Sequence, residues 1–311
     1  MSTVLITGGT GMIGKRLAQM LVEKNYMVII LTRNINEHRS VNGISYAGWD
    51  VKKGVIDKSA IEKADYIVHL AGANVADGRW TDKRKQEIVT SRTQSSALLV
   101  KALQENNNKI KVVISASATG WYGEDTATTL KNGFREDAPA AGDFLGETCR
   151  LWEESIEPVS ALGKRLVKLR TGIVLSNDGG AWIEFKKPLK VGFATVMASG
   201  RQMVPWVHIE DICRMYIYAI ENNNMQGAYN AVAPNTVSNK ALILQMAKKL
   251  NPHFYIPIHV PAFALKLALG EMSIEILKSV TASAGKITGA GFKFLYPGID
   301  ETVHSLTHKS R

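Results

Sequence analysis

Cysteine is scarce in this sequence: only Cys149 and Cys213 occur among 311 residues. No C-x-x-C pair is present, and the seven histidines show no metal-ligand spacing with the two cysteines. These absences exclude a disulfide scaffold and a structural zinc site, and we predict no metal site. Free thiols are typical of a reducing compartment, so the cytoplasm is the expected location.

Long apolar runs are also missing. No uncharged apolar stretch reaches the 18 residues that indicate a membrane span. The N-terminus enters Val4-Leu5-Ile6 directly, without a basic region and a long apolar core, so no secretory signal is expected. We therefore predict that no membrane is a partner.

Acidic residues are fewer than basic ones. Asp and Glu total 28 against 38 for Lys and Arg, which gives a formal net charge of +10. The densest basic cluster, Lys83-Arg84-Lys85, lies in a helical pattern and not in a basic arm, so no nucleic-acid partner is predicted. The excess fits a solvated surface, and it also fits a phosphate-bearing small ligand.

The first half of the chain alternates short β-rich runs with helical stretches. Hydrophobic residues make up 45% and charged residues 21%, as in an ordinary globular protein. The predicted strands are 3–7, 27–32, 44–48, 66–71, 111–115 and 165–170, and the predicted helices are 12–24, 81–104 and 143–162. This order predicts the α/β class, with a Rossmann-type doubly wound parallel sheet.

The second half follows a looser pattern. It predicts a strand at 204–209 and helices at 211–221, 238–250 and from 261 to 277 or beyond. We expect a Rossmann domain over 1–175, with some later segments crossing back to it. Residues 176–311 form a smaller α/β substrate lobe in this interpretation.

The strongest motif is Thr7-Gly8-Gly9-Thr10-Gly11-Met12-Ile13-Gly14, here called the glycine loop. It follows the first strand and opens the first helix, and Gly8, Gly11 and Gly14 are three positions apart. Glycines allow a tight turn, close approach of a pyrophosphate and packing of the helix on the strand. The helix N-terminus then offers N–H groups and a positive dipole end. A phosphate-binding P-loop is disfavoured because Arg16 stands where Ser or Thr would hold magnesium.

The end of the second strand favours NADP(H) over NAD(H). Proteins that bind NAD place an Asp or Glu about 20 residues beyond the glycines, whereas this chain has Thr32-Arg33-Asn34. Arg33 can pair with a 2′-phosphate; the alternative is a solvent-facing arginine at a strand end. Asp50, after the third strand, meets the adenine edge or caps a turn.

Later segments extend this pattern. His69-Leu70-Ala71-Gly72 closes the fourth strand, and Ser115-Ala116-Ser117 precedes Tyr122-Gly123. With the glycine loop, these segments resemble the extended short-chain dehydrogenases/reductases of the NAD-dependent epimerase/dehydratase superfamily. Segments at 79–92, 144–153, 170–180, 200–211 and 291–297 resemble, more narrowly, an atypical branch labelled sugar-nucleotide epimerase. That branch has a small C-terminal domain of unknown function, here at about 255–303.

The resemblance implies an NADP(H)-binding protein. The cofactor would lie on Gly8, Thr10, Gly11, Met12, Ile13, Arg33, Asp50, Leu70, Ala71, Gly72 and Ser91. Residues after the sixth strand would approach its nicotinamide side, namely Arg170, Gly172 and Val174. By analogy with similar folds, helices 81–104 and 143–162 could form a homodimer interface.

Typical members of this superfamily carry a Tyr-x-x-x-Lys pair, which this chain lacks. None of its nine tyrosines has Lys four positions later, and alignment on Glu153 places Leu145 and Cys149 at the two positions. Ser117 is a candidate to hydrogen-bond a substrate carbonyl or hydroxyl. Tyr122 is a candidate acid if a cation tunes it; the alternative is that its ring packs in a turn.

The predicted helix 81–104 carries a mixed polar and basic stripe. Because this helix must cover the sheet near the cofactor, we expect Ser91 or Arg92 to face the cofactor and Trp80 or Arg84 the substrate. Four residues would approach from the second lobe: Arg201, Gln202, Trp206 and His208. For His208 the alternative is a structural histidine beside Asp211 at a strand–helix junction.

Two functions remain open at this point. The first is an NADP(H)-dependent epimerase or reductase acting on a small polar substrate that could be nucleotide-linked; Arg84, Arg92 and Arg201 favour an anionic one. The second is a regulatory protein that keeps the fold and senses NADPH without chemistry, which the missing Tyr-x-x-x-Lys pair favours.

Overall fold

The structure is a computed structural model that describes residues 1–307. Its strands are β1 Thr3–Thr7, β2 Met27–Thr32, β3 Ile44–Asp50, β4 Val55–Ile56, β5 Tyr66–His69, β6 Val112–Ala118, β7 Arg165–Thr171, β8 Ile173–Leu175, β9 Phe193–Met197, β10 Met203–Val204, β11 Trp206–His208, β12 Gly227–Ala231, β13 Val237–Ser238 and β14 Ile256–Val260.

Helices connect most of these strands. They are α1 Met12–Glu23, α2 Lys58–Lys63, α3 Asp82–Glu105, α4 Ala127–Asn132, α5 Phe144–Ile156, α6 Pro158–Ala161, α7 Ala181–Leu189, α8 Ile209–Glu221, α9 Asn239–Leu250, α10 Ala262–Leu269, α11 Ser273–Leu277, α12 Gly285–Gly289 and α13 Ile299–Thr307. Short 3-10 turns lie at Ile35–Glu37, Thr119–Trp121 and Gly270–Met272. Within residues 1–307, no helix is both long and apolar enough to cross a membrane.

The main sheet has eight strands in the order β12-β7-β6-β5-β1-β2-β3-β4. All neighbours pair in parallel except β3 and β4. The chain runs from β1 outward through β2 and β3 and then returns to the other side of β1 with β5, which places a topological switch between β1 and β5. Ligands of such sheets bind outside the carboxyl ends of the strands at this switch. The predicted fold class is confirmed.

Apolar residues on both faces explain why the central strands read as continuous apolar runs. Val4 and Ile6 of β1 pack with α1 and α8 in one core cluster, whereas Leu5 packs with α3 in a second cluster. This alternation follows the period of two of a strand that is covered on both faces. A third cluster around Trp182, Trp206 and Leu242 forms the core of the second half.

The second half departs from its predicted elements at prolines and glycines. The predicted strand 204–209 is two short strands separated by Pro205, and the predicted helix from 261 is broken at Gly270, where φ is +62°. In the first half, the predicted helix 143–162 is divided at Pro158, which begins α6. Proline lacks the N–H that continues a helix, which accounts for that break.

A late segment completes the main sheet. β12 pairs in parallel with β7, so a strand from the second half does cross back to the first. The division into two domains at residue 175 stays a prediction. Buried Asp211 also attaches the C-terminal segment to α8, since its carboxylate accepts the main-chain N–H groups of Leu295 and Tyr296 at 2.8 Å each.

Candidate functional site

The glycine loop is a turn that only glycines can form at two positions. Gly8 has φ of +68°, and a Cβ added there would lie 2.9 Å from the carbonyl group of Leu70. A Cβ on Gly14 would lie 2.5 Å from the Gly8 oxygen and from the Gly9 Cα. The loop is closed by the N–H of Gly11, which donates to the Gly8 carbonyl at 3.1 Å. The backbone of the turn is therefore open to a close approach from outside.

The N-terminus of α1 points out of this loop without a side-chain cap. Gly11 is its N-cap residue, no side chain accepts from the first turn, and no acidic residue lies there. Thr10 and Gly11 are exposed, and Met12 and Ile13 are half-buried. The N–H groups of an uncapped first turn, with the helix dipole behind them, form a site for an anion such as a pyrophosphate.

The loop after β5 is held next to the glycine loop by Thr7, which was not predicted to be a site residue. Its Oγ1 accepts the N–H groups of Leu70 at 3.1 Å and Ala71 at 3.2 Å. Farther along, the Ser91 hydroxyl accepts the N–H of Ala73 at 2.9 Å. The predicted cofactor residues Leu70, Ala71 and Gly72 thus lie beside the glycine loop. The sequence feature that could have identified Thr7 is its hydroxyl at the end of the strand that leads into the glycine loop.

Arg33 and Asp50 lie at the carboxyl ends of neighbouring strands β2 and β3. The Arg33 side chain is exposed and makes no hydrogen bond or ion pair with another residue of 1–307. Asp50 caps a turn, since one carboxylate oxygen accepts the N–H groups of Lys52 at 3.0 Å and Lys53 at 3.2 Å. The Arg33 side chain is therefore free to pair with an anion. Asp50 has the environment expected for a residue that caps a turn, which was the alternative to a contact with adenine.

A buried polar network lies beneath the carboxyl ends of β6 and β7. The Arg170 guanidinium donates to both carboxylate oxygens of Glu153, at 2.8 and 3.1 Å, and to the Tyr122 hydroxyl at 3.1 Å. Ser117 donates to the same carboxylate at 2.7 Å. Tyr122 in turn donates to the Asn230 side chain at 2.6 Å.

This network argues against three expected site roles. The Tyr122 ring is fully buried, and burial raises the pKa of its hydroxyl to about 12, so it keeps its proton inside the protein. The environment is that of the packed-ring alternative, and the role of Tyr122 as an acid stays a prediction. Arg170 is 3% exposed and paired with Glu153, which argues against a contact between its guanidinium and a nicotinamide. Ser117 is 3% exposed, and its hydroxyl proton is committed to Glu153.

Gly172 and Val174 carry the chain from the main sheet into the second half. A Cβ on Gly172 would lie 2.6 Å from the Pro205 carbonyl oxygen, so glycine is needed for this crossing. Val174 lies in β8 and is paired in register with Val207 of β11. Their roles toward a cofactor stay predictions.

The two positions that align with Tyr-x-x-x-Lys face the 3-10 turn after β6. A Cβ on Gly120 would lie 3.1 Å from the Leu145 Cβ and 3.7 Å from the Cys149 sulfur. Burial raises the pKa of the Cys149 thiol to about 12. A neutral, buried thiol is not a nucleophile, and Leu145 carries no proton to transfer.

On the substrate side, Trp80 and Arg84 hold the segment that precedes α3. The Trp80 ring is 8% exposed, donates from Nε1 to the Val75 carbonyl at 2.8 Å and packs edge-on against Phe144. Arg84 donates to the Asn74 carbonyl and pairs with Glu87 at 2.6 Å. Both residues thus shape the loop in front of α3, and contact with a substrate stays a prediction.

The candidates from the second lobe separate into one exposed and three buried residues. Gln202 donates to the carbonyls of Met197 and Ile276, and Trp206 donates to that of Asn235. These bonds stabilise the local backbone, which argues against contact with a ligand. Arg201 is exposed, and its side chain has no partner within residues 1–307.

His208 is the N-cap of α8. Its Nδ1 accepts the N–H of Glu210 at 3.1 Å, and its ring stacks on Tyr296 with centroids 3.8 Å apart. The ring is 2% exposed. This environment is that of a structural histidine at a strand–helix junction, the alternative prediction for His208, and it argues against a substrate role.

Two buried histidines predict a loss of stability in mild acid. Burial lowers the pKa of His69 and of His208 from 6.5 to about 4. As the pH falls, the unfolded chain therefore takes up these protons before the folded protein does. The contribution of the two neutral histidines to the free energy of unfolding is full above pH 6.5 and is lost progressively as the pH falls toward 4. Each histidine should reduce the free energy of unfolding by about 2 kcal/mol between pH 7 and pH 5.

Urea unfolding at pH 7 and pH 5 measures this loss. The variant His208→Gln, whose amide oxygen can still accept the Glu210 N–H, should lose about half of the pH-dependent change that the two histidines cause. The variant His253→Gln, at an exposed position, should keep all of it. An unchanged pH dependence in His208→Gln would contradict the assignment.

Comparison with known proteins agrees with this geometry. The model of the NAD dependent epimerase/dehydratase family matches residues 4–141, and that of a domain of unknown function, DUF1731, matches residues 260–306. The epimerase family protein YfhF of Bacillus subtilis (strain 168) is 35% identical over 305 residues, which cover 97% of each chain.

Two solved structures are similar over most of the chain. The human epimerase family protein SDR39U1, crystallised with NADPH, has a TM-score of 0.85 at 25% identity and covers 98% of this chain and 99% of its own. The nucleoside-diphosphate sugar epimerase from Corynebacterium glutamicum has a TM-score of 0.76 at 29% identity, covering 98% of this chain and 58% of its own. These similarities confirm the resemblance found in the sequence, and the chain belongs to the NAD dependent epimerase/dehydratase family.

Proposed function

We propose that the chain binds NADP(H) across the carboxyl ends of β1, β2 and β5. The observation that carries this proposal is the glycine loop, whose positions 8 and 14 exclude a Cβ and whose helix N-terminus has no side-chain cap. The pyrophosphate would lie on the N–H groups of the first turn of α1. The loop after β5, fixed by Thr7 and Ser91, would line the next part of the dinucleotide.

Arg33 supports NADP(H) in preference to NAD(H). A guanidinium forms strong, charge-assisted hydrogen bonds with phosphate, and no acidic residue stands at the end of β2, where a ribose 2′-hydroxyl would need one. The NADPH in the crystals of the human relative supports the same choice.

The reaction that we propose is a reduction or an epimerisation of a small polar substrate. Bound NADP(H) would supply the hydride acceptor or donor. Arg201, exposed and unpaired among the described residues, favours a substrate with an anionic group. The name of the Corynebacterium relative, a nucleoside-diphosphate sugar epimerase, supports a nucleotide-linked substrate. A cytoplasmic location and a homodimer built on α3 and α5 stay predictions.

A second candidate function is binding without chemistry, as in a protein that senses NADPH. The observations that favour it are the Leu145 and Cys149 positions and the buried Tyr122, which leave no tyrosine–lysine pair at the aligned positions. Reproducible, substrate-dependent oxidation of NADPH by any member of a carbonyl-compound library would exclude this candidate. Tight binding with no turnover on the whole library would support it.

The cofactor proposal is tested by titrating the wild-type protein with NADPH and with NADH while nicotinamide fluorescence is followed. The expected dissociation constant for NADPH is lower by about tenfold or more, since a charge-assisted hydrogen bond contributes about 1.5–3 kcal/mol. Absence of binding by both nucleotides would contradict the proposal, because the glycine loop would then be only a structural turn.

A further inference from the structure

Arg92 of α3 occupies an unusual position for an arginine. It lies on the face of the helix that is turned toward the loop after β5: a Cβ on Gly72 would lie 3.2 Å from its Cζ and 3.3 Å from its Cγ. On the other side its guanidinium lies 4.9 Å from the centroid of the Trp152 ring of α5. The charge is thus held between the backbone of the proposed cofactor loop and an indole.

This guanidinium is left largely unpaired by the rest of the chain. Its one hydrogen bond within residues 1–307 goes from Nη1 to the Ile88 carbonyl at 2.8 Å, and no carboxylate of that part of the chain lies within ion-pair distance. Burial lowers the pKa of Arg92 to about 10, so it is still protonated at neutral pH. A guanidinium has five N–H donors, and most of these donors remain available to a ligand.

Arg92 lies beside the loop after β5, on the opposite side of β1 from β2 and Arg33, so it would face the half of the dinucleotide that lacks the 2′-phosphate. It is close enough to Cys149 for its positive charge to oppose part of the burial effect on the thiol pKa. Cys149 is the position at which relatives with Tyr-x-x-x-Lys carry the lysine. Gly72 is on the opposite side, in the loop that the dinucleotide would cross after the pyrophosphate.

We propose that the Arg92 guanidinium faces the nicotinamide half of bound NADP(H) and supplies, from α3, the fixed positive charge that position 149 of α5 lacks. Its free N–H groups would donate to the ribose hydroxyl oxygens of that half. The inference rests on the proposed function, because it requires that the dinucleotide binds at this edge of the sheet.

Comparison of a whole dinucleotide with its adenosine half tests this inference. Wild-type protein and the variants Arg92→Ala, Arg92→Lys and Lys101→Ala are titrated with NADPH and with adenosine 2′,5′-bisphosphate by calorimetry. Arg92→Ala should weaken NADPH binding by about tenfold or more, as expected for loss of hydrogen bonds from a charged donor. Its affinity for the bisphosphate should stay within about twofold of wild type, because that ligand has no nicotinamide half.

The other variants separate a local role from a structural one. Arg92→Lys keeps a cation and should recover most of the NADPH affinity that Arg92→Ala loses. If the alanine variant does not fold, Arg92→Gln, which keeps N–H donors but carries no charge, takes its place and should weaken NADPH binding without changing the affinity for the bisphosphate. Lys101→Ala removes a positive charge from an exposed position on the same helix and should change neither affinity. The inference would be overturned if Arg92→Ala lowered the affinity for both ligands equally, or if it left the affinity for NADPH unchanged. Failure of the wild-type protein to bind either ligand would instead overturn the proposed function and the inference with it.

Discussion

Replacement of Glu153 by glutamine should lower the free energy of unfolding by about 3–5 kcal/mol, the usual cost of breaking a buried ion pair from one side. Glu153 and Arg170 have side chains that are only 5% and 4% exposed. Glutamine fits the same space, but its amide nitrogen would meet N–H donors of Arg170, and the arginine charge would remain buried without a counter-charge. The hydrogen bond from Ser117, which donates to the same carboxylate, should be weakened as well.

Urea unfolding followed by circular dichroism measures this effect. Glu147→Gln on the same helix is the matched control, because Glu147 pairs with Arg150 on the surface and such pairs contribute about 0–1 kcal/mol. If both variants lost the same small amount, the network around Arg170 would not be a main contributor to stability.

Gly14→Ala should abolish measurable binding of NADPH. The added methyl group would lie 2.5 Å from the Gly8 oxygen and the Gly9 Cα, and both are backbone atoms that move only if the whole turn moves. Displacement of the turn removes its N–H groups from the pyrophosphate. Loss of two charge-assisted hydrogen bonds costs about 3–6 kcal/mol, so the dissociation constant should rise by more than about 100-fold.

A second glycine provides the control for this substitution. Gly289 lies exposed in α12, and a Cβ there would meet no atom within 4 Å. Gly289→Ala should therefore bind NADPH like the wild type. Thermal unfolding of both variants separates a local change of the turn from general unfolding. A folded Gly14→Ala protein with wild-type affinity would contradict the assignment of the loop to the pyrophosphate.

The first half of the fold could be predicted because its signals are local. β1 and β2 were expected with the bounds that the structure has, since short continuous apolar runs are typical of buried parallel strands. β12 was missed because its sequence, Gly227-Ala228-Tyr229-Asn230-Ala231, has small and polar residues and no apolar run. It is a strand because β7 offers a parallel edge and because Asn230 bonds with Tyr122, 108 positions away.

The candidate site likewise has parts that could be predicted from the sequence and parts that could not. The glycine loop and Arg33 could be predicted as site residues because the chemistry needs those residue types at fixed distances from a strand end. The burial of Tyr122 and the pairing of Arg170 could not be found, because Glu153, Asn230 and Arg170 come together only in three dimensions. The helical stripe led to the expectation that Ser91 or Arg92 faces the cofactor, but it could not reveal the individual contacts, in which Ser91 bonds with the loop after β5 and Arg92 lies against Gly72.

The most direct test of the account is the preference between NADPH and NADH in the wild type and in two arginine variants. Arg33→Ala should bring the ratio of the two dissociation constants from about ten or more to about one, because only NADPH carries the 2′-phosphate that Arg33 would pair with. Arg135→Ala removes an exposed arginine next to Glu136, which bonds to β7 and β12 at the end of the strand order away from β2, and this variant should keep the wild-type ratio. If Arg33→Ala retained the full preference, or if the wild-type protein bound neither nucleotide, the central claim that this edge of the sheet is an NADP(H) site would be contradicted.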